Sequence, residues 1–197
     1  MLPGTEVFAD LTGHAEAVMS STVSPDGKTL LTAGYDGAAK LWSLSTGARV
    51  RTFEGRNDCG RGVGGLYSAF FSPDASTILT ASSDGVARLW RTADGECIWA
   101  LRGHADTYMR YAIFSPTEPH ILTSSADMTA KLWHMDDRRL VCTYRGHTGW
   151  LNTASFTSDG KLVCGCYGPS LANHHGRACR NLRGTQALRA HRRLLHQ

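Results

Sequence analysis

Three groups of residues in this 197-residue chain have types and spacings that could do chemistry. In the first, an imidazole, a hydroxyl and a carboxylate recur together: His14, Thr32 and Asp36, then His104, Thr123 and Asp127. Nucleophilic catalysis uses such a trio, with the histidine taking a proton from the hydroxyl while the acid orients the ring. The second is the stretch CGRGVGGL, where Gly60, Gly62 and Gly65 have a spacing that wraps backbone around a pyrophosphate. That chemistry needs a strand before the glycines and a helix opening at their end. The third is Cys164, Cys166, His174, His175 and Cys179, all soft metal-ligand types.

The elements that must hold these groups are strands. Apolar residues come in short runs rich in Leu, Ile, Val, Thr and aromatics, broken every eight to twelve residues or so by Ser-Pro-Asp, Asp-Gly or Thr-Gly turns. No stretch of the body carries helical periodicity over three turns. The runs also repeat. LLTAGYDGAAKLW, ILTASSDGVARLW and ILTSSADMTAKLW end at Trp42, Trp90 and Trp133, spacings of 48 and 43 residues. Upstream lie VSPDG, FSPDA and FSPTE, with FTSDG opening a fourth unit, and before those LTGH, FEGR, LRGH and YRGH.

A Gly-His, a Thr, an Asp turn and a Trp on a period in the low-to-middle forties resemble the WD-repeat β-propeller family. The likeness covers residues 5 to about 166 and predicts an all-β, open array of four-stranded antiparallel blades. Units of about 5–42, 43–90, 91–133 and 134–166 make a partial propeller over 1–166, followed by a basic, disordered tail at 167–197. The resemblance implies a structural tetrad on His14, Thr32, Asp36 and Trp42, and on His104, Thr123, Asp127 and Trp133. The second unit retains Thr80, Asp84 and Trp90, with Arg56 where histidine is due. In the fourth unit, His147 has no Asp and Trp to join.

Recurrence decides how the trio is read. The same residues return at matching offsets from Trp in two units, as a brace must and a catalytic centre need not. Imidazole donates and accepts, threonine does both, aspartate accepts and indole donates, so the four can link into one chain. Such a network stabilises only when complete. The chain is therefore read as non-catalytic, with no cofactor. Lys40, Arg88 and Lys131, each two residues before a Trp, read as structural, their stems lying along neighbouring blades.

The glycine stretch is an enlarged loop, not a nucleotide site: the second unit has six extra residues between its Gly-His position and its Ser-Pro turn, and LYSAFF after them reads as a strand. The Cys-x-Cys-x7-His-His-x3-Cys spacing matches none of the usual zinc arrangements, so no metal is assigned.

Charge divides the chain. Net charge is +4, yet residues 167–197 hold six arginines and no acid, which leaves a body with 15 basic and 17 acidic residues, about −2. The body is not a nucleic-acid binder; the tail offers an alternative contact for nucleic acid or an acidic partner. Its abrupt change in composition also fits a read-through from an intron or a shifted frame. No apolar run is long enough to span a bilayer and no secretory leader is recognisable, so the expected location is cytoplasmic or nuclear. Six cysteines without a disulfide-framework spacing agree with a reducing compartment. Three and a half blades do not close a ring, so the chain reads as a fragment of a larger propeller protein, or as one of two copies associating through open edges.

What the resemblance implies for function is a platform for other proteins or peptides. The residue before each inner strand is Ala17, Gly65, Tyr108 and Trp150, and next along that edge stand Met19, Tyr67, Arg110 and Asn152. Large amphipathic residues on a rim that the core does not need are unexpected unless they meet something. Tyr67, Tyr108, Arg110 and Trp150 are the candidate partner-binding residues.

Overall fold

A computed structural model describes residues 11–54, 64–104 and 107–157 with their side chains and 162–166 as backbone. Arg56, Gly60, Gly62, His174, His175, Cys179 and the whole basic tail lie outside the described residues, as do the side chains of Cys164 and Cys166. The described chain is all β. Blade one comprises β1 (Val18–Val23), β2 (Thr29–Gly34), β3 (Ala38–Ser43) and β4 (Arg49–Glu54). Blade two comprises β5 (Leu66–Phe71), β6 (Thr77–Ser82), β7 (Ala87–Arg91) and β8 (Cys97–Leu101). Blade three comprises β9 (Met109–Phe114), β10 (His120–Ser125), β11 (Ala130–His134) and β12 (Leu140–Tyr144), and β13 (Leu151–Phe156) pairs with β14 (Leu162–Cys166).

Each four-stranded sheet is a simple antiparallel meander in chain order, and the described residues form no closed ring. Local chemistry sets the turns. In the Ser-Pro-Asp turns, Ser24 Oγ donates to Asp26 (2.6 Å), which accepts the Lys28 N–H (3.1 Å), while Ser24 Oγ also accepts the Thr29 N–H (3.0 Å). The side chains thereby satisfy a backbone that has left the ladder. In the β2–β3 turn Asp36 accepts the Ala38 N–H at 3.2 Å, and Gly37 takes a φ of +80°, a conformation glycine adopts at no steric cost.

The core lies between blades, not within them. Leu31, Leu41 and Phe53 of blade one pack on Leu66, Ile78 and Trp90 of blade two. Leu79, Leu89 and Leu101 then pack on Met109, Ile121 and Trp133, and Leu122 and Ala130 pack on Leu151 and Ala154. A blade four strands wide and one sheet thick has no interior of its own, so its apolar face is buried only by its neighbour. Polar ties cross the same seam: Thr22 Oγ1 donates to Ala69 O, and the Ala69 N–H donates to Ser20 Oγ, both at 3.1 Å.

Cys97 is disulfide-bonded and Cys142 is a free thiol; the scattered cysteine spacing does not anticipate the bond. The charged heads of Lys40 and Arg88 turn back into their own blades, onto Asp36 (3.1 Å) and Asp84 (2.6 Å), partners that the spacing before each Trp does not reveal.

Candidate functional site

Two constellations compete for the role of a site. The first is the buried trio, which the fold does assemble. His14 Nδ1 lies 3.0 Å from Asp36, His14 Nε2 lies 2.8 Å from Thr32 Oγ1, and the Trp42 indole N–H donates to that oxygen at 2.9 Å. Blade three repeats it: His104 Nδ1 to Asp127 at 2.9 Å, Nε2 to Thr123 Oγ1 at 2.8 Å, and Trp133 Nε1 to Thr123 at 2.9 Å. One assignment gives every group a partner when the ring is neutral. Indole only donates, so the threonine oxygen accepts it; the carboxylate only accepts, so Nδ1 carries the proton and Nε2 receives the threonine hydroxyl.

Hydroxyl, imidazole and carboxylate are thus placed as in a nucleophile with its base and orienting acid. Access excludes that use. Thr123 has 0% of its surface exposed, and its oxygen is already occupied by an indole on one side and an imidazole on the other. A substrate carbonyl has no approach to it in the folded blade.

The electrostatics suit a brace. Burial opposes charge on Asp36, but hydrogen bonds from the Ala15 N–H, His14, Lys40 and the Ala38 N–H hold its carboxyl far below the usual range. Burial likewise opposes charge on Asp127, where Thr129 and His104 outweigh it and keep the carboxyl below its ordinary value. Burial pushes His104 below the ordinary imidazole value despite Asp127 beside it, so the ring is held neutral. Thr129, which the sequence reading passed over, donates to Asp127 at 2.7 Å. Blade two differs. Trp90 still donates to Thr80 at 2.9 Å, but Asp84 is held by the buried Arg88, whose Nε and Nη1 have no hydrogen-bond partner.

Glycines make room for these contacts. A Cβ on Gly103 would sit 2.9 Å from the Trp133 ring, so only glycine lets the loop carrying His104 lie against the indole edge. Gly65, from the phosphate-like spacing, stands directly before β5; a strand follows it, and a Cβ there would lie 2.6 Å from Tyr35. It serves a close approach between a loop and the neighbouring turn.

The second constellation lies on one rim. Ladder pairing in the inner strands skips a residue at the same place in each blade: Val18 and Ser20 pair with Gly34 and Ala33, passing over Met19. Tyr67, Arg110 and Asn152 are passed over in β5, β9 and β13 in the same way. A bulge of this kind frees a side chain from the alternation of the strand and re-aims it. The result is a row across three blades and the β13–β14 pair. Tyr35 stacks edge-on to Tyr67 with ring centres 6.0 Å apart, and Tyr67 stacks edge-on to Tyr108 at 6.3 Å. The Arg110 guanidinium carbon lies 4.6 Å from the centre of the Tyr67 ring, 5.8 Å from that of Trp150 and 6.0 Å from that of Tyr108. Tyr108 and Trp150 remain 47% and 50% exposed.

All four candidate partner-binding residues therefore meet in one cluster. Tyr35 was missed, although a signal for it exists: it occupies the turn position held by Ser83 and Ala126 in the other blades, where nothing in the brace asks for a ring.

Successive four-stranded meanders, packed face to face and joined blade to blade, define an open propeller array. The model for the WD domain, G-beta repeat, matches residues 5–43, 47–91, 95–134 and 138–171. The chain belongs to the WD-repeat family.

Proposed function

We propose that this chain is a non-catalytic platform for other proteins and that the Tyr35–Trp150 row is where they dock. WD-repeat domains are typically interaction scaffolds, and the row is the local feature that supports the reading here. One observation carries it: three blades and the β13–β14 pair each send a bulged residue to the same rim, where two large aromatics stay half exposed beside an arginine. Tyr, Trp and Arg are the types that dominate binding energy at protein interfaces, because each covers much apolar area while keeping a polar handle. The buried trios supply rigidity, the counterpart a docking rim requires.

The experiment is an affinity capture with the full chain, comparing the parent with Tyr108→Ala and Trp150→Ala. Both side chains lie half in solvent, so each variant should keep the parental melting temperature, and partners recovered by the parent should be lost from both. Undiminished recovery by both variants removes the row from the function.

A further inference from the structure

The rim row holds one feature that aromatic stacking alone does not explain, namely the state of Arg110. Its guanidinium lies against Tyr67 and near Trp150 and Tyr108, and its Nε is buried with no hydrogen-bond partner. Among the described residues it forms no ion pair, and no acidic side chain lies in the groove beside it. That groove is open, about 470 Å³ in volume, and lined by Met19, Tyr67, Trp150 and Asn152 among others.

Resting on the reading of this rim as a docking surface, we propose that the groove takes an acidic peptide, with one aspartate or glutamate carboxylate meeting Arg110. Three physical points argue for that occupant. A guanidinium beside aromatic rings keeps its in-plane N–H groups unused by those rings, so the planar fork can still receive a carboxylate bidentately. The Tyr67 ring beside the guanidinium lowers the local polarity on that side, which strengthens a charge-assisted hydrogen bond relative to one with water all round. Among the described residues Arg110 is the single cation lining the groove, so a singly charged carboxylate balances it, whereas a phosphate dianion would ask for a second. Asn152 stands beside it with an amide able to donate to the same anion, and Met19 and Trp150 offer an apolar wall for the residue next to the acid.

The test uses the intact chain and a panel of hexapeptides with Glu or Asp at the third position and each apolar residue beside it. Every peptide is paired with its Gln or Asn isostere, and the readout is Trp fluorescence or polarisation. Acidic members should bind at least tenfold more tightly than their neutral isosteres, and Arg110→Lys should weaken them at least tenfold, because lysine keeps the charge but loses the fork. Equal binding of acidic and neutral peptides to the parent chain overturns the proposal without reference to any variant, as does tighter binding of phosphoserine counterparts. If Tyr108→Ala and Trp150→Ala lose a captured partner while Arg110→Gln retains it, the docking row stands and only the carboxylate assignment falls.

Discussion

Thr123 and Thr80 are both fully buried, yet they have different numbers of partners. Each receives an indole N–H and lies near a backbone carbonyl, that of Lys131 at 3.4 Å for Thr123 and that of Arg88 at 3.5 Å for Thr80; Thr123 also faces an imidazole nitrogen, whereas the carboxylate in the blade of Thr80 is held by Arg88. Replacing either by valine keeps the shape and orphans the partners, at about 1–3 kcal/mol for each buried group left unpaired. Thr123→Val should therefore cost about 2–4 kcal/mol and Thr80→Val about half that, read from urea denaturation of the single variants. Equal costs would mean that His104 contributes nothing to the brace. Protonation offers a second probe. His104 titrates below its ordinary 6.5 in the folded blade, so the unfolded chain binds that proton more readily. Stability is accordingly complete above 6.5 and falls as the pH drops toward the folded value. Asp36 and Asp127, both depressed below 3.8, add a second loss at lower pH, as the medium passes down through their folded values. Melting temperature should fall in these two stages on acidification. His104→Gln should shrink the first, leaving what belongs to His147, which burial also pushes down.

The β2–β3 and β6–β7 turns place Gly37 and Gly85 at φ values of +80° and +78°, and the third blade puts Met128 there at +63°. An L-residue in that region costs about 1–2 kcal/mol, part of which glycine returns through its greater freedom in the unfolded chain. Met128→Gly should stabilise the chain by about 0.5–1 kcal/mol, measured as a raised denaturation midpoint with an unchanged m-value. The inner-strand bulges are the element-scale fact that matters most for function. Alternation along LYSAFF or MRYAIF assigns each residue to one face or the other, and it gives no sign that Tyr67 or Arg110 is passed over by its partner strand. The rim position of Tyr67, Tyr108, Arg110 and Trp150 was nonetheless legible, because the turns allow the units to be aligned. Their convergence onto one guanidinium was not, since a bulge is defined by register against another strand. The carboxylate partners of Lys40 and Arg88 were not legible for a similar reason: the four-residue separation from Asp36 and Asp84 spans a hairpin turn, where sequence distance says little about direction.

For the molecule as a whole, stability is a sum over seams between neighbouring blades. Strands β5 and β9 each have blade surfaces on both sides and present no exposed residue, whereas four of the six residues of β1 and three of the six of β13 are exposed. Amide hydrogen exchange should therefore be slowest in β5, β6, β9 and β10 and faster in β1 and β13, with opening of the outer seams preceding global unfolding. Uniform protection across all four inner strands would show that the seams act as a single cooperative unit.

Repeat spacing, turn chemistry and the recurring His, Thr, Asp and Trp determined by themselves that this chain builds meandering blades with a polar brace. Those are properties of residue type and local order, which a sequence states directly. Only the tertiary structure decided which groups complete each brace, that the Thr123 hydroxyl is fully buried between indole and imidazole, and that Arg110 lies among aromatic rings with no ion pair among the described residues. Burial and cross-strand register arise where separate blades meet, and distant parts of the chain must be packed together before either exists.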